Sequence, residues 1–153
     1  MLLSIGSYSD LSRYANIVKI MLFRELYIGR WQVYFIFATE GYDVNPILDI
    51  MYDLDAPDYT LVKAARKMRK AKPNEGFTFS NGEMRKALVV IGPTTSGKEF
   101  QDSLVHEIHH LAVAIAKSLG VNLEGETPAY ISGDSARELA GIVCELGCDQ
   151  CRE

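Results

Sequence analysis

The chain has 153 residues, 48% of them hydrophobic and 24% charged, which suits one soluble globular domain long enough to bury a core. A formal net charge of −4 gives no overall case for nucleic-acid binding, and no apolar run approaches the roughly 20 residues that cross a bilayer. Three cysteines bunched at the far end make no disulfide framework, and the apolar start lacks the basic residue of a secretory signal, so a cytoplasmic protein with reduced thiols is expected.

A helical segment is predicted over 1–26, capped by Ser9 or Asp10, with Leu11, Tyr14, Ile17, Val18, Met21 and Leu22 at helical spacing. Gly29 breaks that pattern. Residues 31–38 (WQVYFIFA) are aromatic and β-branched, as in a strand buried on both faces. A loop over 41–46 leads to a short helix over 46–52. A second helix over 59–72 is ended by Pro73. It carries Lys63, Arg66, Lys67, Arg69, Lys70 and Lys72, which read as a solvated face with Leu61, Ala64, Ala65 and Met68 turned inward. No aromatic residues interleave these cations for base stacking, so no nucleic-acid partner is expected.

Two strand-like runs, 77–80 and 83–91, flank Asn81-Gly82. That dipeptide favours a tight turn with positive φ at both residues, so an antiparallel hairpin is predicted over 76–91. A central helix over 97–119 has a core stripe of Phe100, Leu104, Ile108, Leu111 and Ile115, with Gly120 as its left-handed cap. The last helix, over 127–147, starts at Thr127-Pro128 and turns Leu139, Ile142, Val143 and Leu146 inward. The expected fold class is α+β: a single domain with a small mixed or antiparallel sheet and an edge hairpin, packed on the central helix and its flanking helices.

The central helix holds all three histidines of the chain, in His106-Glu107-Ile108-His109-His110. Residues four apart stack on one helical face, so His106 and His110 can grip one metal ion, with Glu107 placed to take a proton from a bound water. Glu126, 16 residues after His110 and at the start of the last helix, supplies a carboxylate. Two imidazoles and a carboxylate make a catalytic zinc site with one position open for water. Glu124 is an alternative third ligand, and His109, three residues from His106, reads as an outer or exposed neighbour. Asp134, two turns beyond Glu126, is a candidate to orient a histidine.

HEIHH followed by ETPAY resembles the gluzincin zinc metallopeptidases. The Glu-x-x-Ala-Tyr form after glycine is similar to small metallopeptidase-like proteins of phages and mobile elements of gut bacteria. The resemblance covers residues 87–138. It implies a zincin-like fold with His106, His110 and Glu126 as Zn2+ ligands and Glu107 as general base. It further implies an edge strand that holds an extended peptide, and hydrolysis of a peptide or protein substrate. The chain departs from larger gluzincins in having no histidine downstream of the motif to stabilise an oxyanion. Tyr130, one turn after Glu126, is the local candidate for that role. The alternative to a peptidase is a non-catalytic zincin-like metal-binding or interaction protein.

Two further motifs are weaker. The run 92–98 fits the phosphate-binding pattern G-x-x-x-x-G-K, but Glu99 stands where that loop has Ser or Thr for magnesium. A capping box, with Ser96 as cap and Glu99 reaching back, accounts for the same residues, so a nucleotide site on Lys98 is the lesser reading. Cys144-x3-Cys148-x2-Cys151 has the spacing of the cluster cysteines of radical SAM enzymes without the barrel those enzymes need. Cys144 is expected to be a small buried residue, with the other two on a frayed tail.

Overall fold

The apolar runs at 31–37 and 86–91 form the centre of a four-stranded mixed sheet in the computed structural model, which describes residues 21–151, with side chains up to 146. The strands are β1 (Leu22–Ile28), β2 (Trp31–Phe37), β3 (Gly76–Asn81) and β4 (Lys86–Ile91), in the order β1-β2-β4-β3. β1 is antiparallel to β2, β2 parallel to β4, and β3 antiparallel to β4. Among the described residues four helices cover the sheet: α1 (Val44–Asp53), α2 (Asp58–Lys70), α3 (Gly97–Ser118) and α4 (Glu126–Cys151). The fold is α+β, as expected, and no helix among the described residues is long and apolar enough to cross a membrane.

Alternation along the central strands divides the interior into two cores. Val33, Phe35 and Phe37 of β2, with Ala87, Val89 and Ile91 of β4, pack against Phe100, Leu104 and Ile108 of α3 and Leu139 and Ile142 of α4. Ile36, Leu88 and Val90 face the other way, against Ile47 and Met51 of α1 and Ala64 and Met68 of α2. A strand covered on both faces needs apolar residues at successive positions, which is why these two runs show no polar alternation. The parallel link from β2 to β4 passes through α1, α2 and β3, leaving β3 at the edge beside α3.

The N-terminal helix expected over 1–26 falls mostly outside the described residues, but Leu22, Phe23 and Leu26 lie in β1, not in a helix. Gly29, at φ 58°, turns the chain so that Ile28 pairs with Trp31, and the ladder continues to Leu22 opposite Phe37. Hydrogen bonds to an otherwise bare edge of β2 outweigh a local helical spacing of leucines.

The 76–91 hairpin forms, but with a longer loop than Asn-Gly implies. Asn81 pairs with Lys86, and the positive φ falls on Arg85 at 52°. Asn81 makes the turn with its side chain: Oδ1 accepts from the backbone N–H of Glu83 (3.1 Å) and of Met84 (3.2 Å).

Candidate functional site

Helix α3 is started by its own sequence. Ser96 is extended, and its Oγ accepts from the Glu99 amide at 3.2 Å, so the phosphate-loop lookalike serves as a helix cap. Once the helix phase is set, Phe100, Leu104, Ile108 and Leu111 turn to the sheet and place His106 and His110 on the exposed side, one turn apart. Glu107 falls between the two directions and points at β3, 4% exposed.

The two imidazoles converge. His106 Nε2 and His110 Nε2 stand 3.1 Å apart, with ring centroids at 4.7 Å and ring planes at 77°. Nitrogens bound to a tetrahedral zinc at about 2.0–2.1 Å lie about 3.3 Å from each other, so the rings already stand near chelating distance. A hydrogen bond between them is the other use of that spacing, and it requires one ring to donate.

Glu107 is held from the sheet. Thr78 of β3 donates its hydroxyl to Glu107 Oε2 at 2.7 Å, and Thr78 Oγ1 also lies 3.3 Å from the Glu107 backbone carbonyl. Close approach of the strand depends on Gly76: a Cβ there would lie 2.4 Å from the Val90 carbonyl and 3.1 Å from Glu107 Cγ. The Gly76 carbonyl accepts from Lys67 Nζ of α2.

Tyr42 closes the neighbourhood on the far side. Its hydroxyl donates to the Glu75 carbonyl at 3.4 Å and occupies the space over Gly92. Burial pushes the Tyr42 phenol up to about 12, helped by the negative charges of Glu75 and Glu107.

An open groove of about 760 Å3 runs between β3 and α3, with His106, His110, Glu107, Thr78, Val113 and Lys67 among its walls. It joins the three motif residues to the edge strand. Thr78, Gly76 and Lys67 were missed by the sequence reading. The signal that finds Thr78 is strand alternation: Phe77 and Phe79 pack into the α1–α2 core, so Thr78 must face α3.

Other expected residues stand apart from the pair. Glu126 is the first residue of α4 and exposed, Glu124 is exposed in the preceding loop, and neither lines the groove. His109 is exposed, its ring 6.2 Å from that of His110. Among the described residues no three His, Cys, Asp or Glu side chains gather as a metal site, so the residues present fit two of the three protein ligands a catalytic zinc needs. Tyr130 is 68% exposed. Asp134 pairs with Arg137 at 3.2 Å on the surface of α4, not with a histidine. Cys144 is exposed, where a buried residue was expected, because its position on α4 lies off the Leu139–Ile142–Leu146 stripe. Comparison of the chain with protein-family models, with curated proteins and with solved structures finds no match.

Proposed function

We propose that the protein is a zinc-dependent peptidase whose centre is His106, Glu107 and His110. The observation that carries this reading is the convergence of the two Nε2 atoms at 3.1 Å beside a buried carboxylate held by an edge strand. His106 and His110 would hold the ion, with Glu126 as third ligand on the sequence pattern alone. A zinc ion there would supply a Lewis acid and lower the pKa of a water towards about 7.

The rest of the chemistry belongs to the chain. Thr78 occupies Glu107 Oε2, which leaves Oε1 to accept a proton from the attacking water and deliver it to the leaving amine. Among the described residues β3 pairs with β4 alone, so its outer edge offers backbone groups to an extended peptide, and peptide addition there would bring a scissile bond along the histidine groove. A non-catalytic metal-binding or interaction protein is the second reading, favoured by the gathering of two ligands without a third among the described residues.

Glu107→Gln is expected to keep its zinc and to lose hydrolysis of a quenched-fluorescent peptide mixture by about a hundredfold or more. His110→Ala should lose the zinc, measured by elemental analysis. Hydrolysis retained in the first variant, or zinc retained in the second, would overturn the assignment. A fourth protein ligand seen by X-ray absorption would decide for the non-catalytic reading.

A further inference from the structure

The basic residues of α2 line a second groove of about 540 Å3, whose walls include Lys63, Arg66, Lys67, Lys70, Lys72 and Tyr59. Among the described residues, Lys63, Arg66, Lys70 and Lys72 have no ion-pair partner. The one acidic residue of α2 is Asp58, in its first turn. The cations thus concentrate on a concave surface of a chain whose net charge is −4.

This groove meets the histidine groove at Lys67, which lines both and donates to the Gly76 carbonyl at the start of β3. Successive side chains of a strand point to opposite faces of the sheet. A peptide added to β3 therefore turns alternate residues towards α3, with its histidines, and the others towards α2, with its cations. We infer that the peptide recognised along β3 is acidic at alternate positions, its carboxylates meeting Lys63, Arg66 and Lys70. The inference rests on the reading of β3 as a peptide-binding edge.

An acidic peptide fits better than a nucleic acid. A single aromatic residue, Tyr59, is available in the basic groove for stacking bases. A net charge of −4 works against long-range capture of a polyanion more than of a short peptide.

The test is fluorescence anisotropy with a labelled peptide alternating Glu and Thr, against its Gln–Thr counterpart and a labelled oligothymidylate, with probe integrity checked by mass spectrometry. The glutamate peptide should bind about tenfold or more tighter than the glutamine peptide at low salt, and that advantage should fade as salt screens the charges. K63E/R66E/K70E should abolish the advantage with an unchanged circular dichroism spectrum. The salt titration tests the same charges without any substitution. Equal binding of the two peptides, or tighter binding of the oligothymidylate, overturns the inference. Peptide cleavage without acidic preference would overturn it and leave the peptidase standing. Charge-dependent binding without cleavage by the zinc-loaded protein would do the reverse.

Discussion

Thr78 decides which oxygen of Glu107 is free. The carboxylate is 4% exposed, and its Oε2 is served by the Thr78 hydroxyl at 2.7 Å. A buried acceptor that loses its donor keeps the cost of its desolvation. Thr78→Val, which keeps the shape and removes the hydroxyl, is expected to lose about 1.5–3 kcal/mol in urea unfolding. On the proposed function, any bound zinc should be retained while peptide hydrolysis falls about tenfold, since Glu107 is no longer held in one orientation. Thr78→Ser, which keeps the donor, should retain most of the activity; equal losses in both variants would mean that the hydroxyl does not position Glu107. The contrast between these residues also marks the limit of reading a site from sequence. His106, Glu107 and His110 declare themselves because one helical turn is a local spacing. Thr78 reaches Glu107 across 29 positions, through the packing of β3 on α3: strand alternation gives the face of Thr78, but no short-range signal gives the helix residue opposite it.

The elements whose signals are local were legible, and those that depend on a distant partner were not. Ser96 and Glu99 start α3 within four residues, and its helical stripe does the rest. β1 was misread because its leucines satisfy a helical period, and only the bare edge of β2 makes them a strand. The end of α2 makes a sharper prediction. Ala71 closes that helix at φ 48° and ψ 40°, with its amide bonded back to Lys67 and Met68. A left-handed conformation costs a residue with a Cβ about 1–2 kcal/mol, against the roughly 0.5–1 kcal/mol that glycine loses through its freer unfolded chain. Ala71→Gly is therefore expected to raise the unfolding free energy by about 0.5–1 kcal/mol in urea. A lowered midpoint would show that the helix end relaxes out of this conformation in solution.

At the scale of the whole molecule, the parallel pairing of β2 with β4 ties together segments separated by two helices and a strand, a contact that local patterning leaves open. Tyr42 pins that arrangement: it precedes α1, donates to Glu75 at the start of β3, and lies over Gly92 just after β4. Its phenol is pushed up to about 12 by burial, then by the charges of Glu75 and Glu107, against an unfolded value of 10.0. A group whose folded pKa is raised lends stability that is fully present below its unfolded pKa and lost as pH climbs through the folded one. Tyr42 therefore contributes its full share up to pH 10.0, and loses it progressively towards about 12, because the unfolded chain releases the proton first. The informative quantity is the difference between wild type and Tyr42→Phe. That difference in urea midpoint should be constant at neutral pH and shrink steadily above pH 10, since phenylalanine has no proton to lose. A difference that stays flat to pH 12 would mean that the hydroxyl is solvated in the folded state, and that the three segments are held by packing of the ring alone.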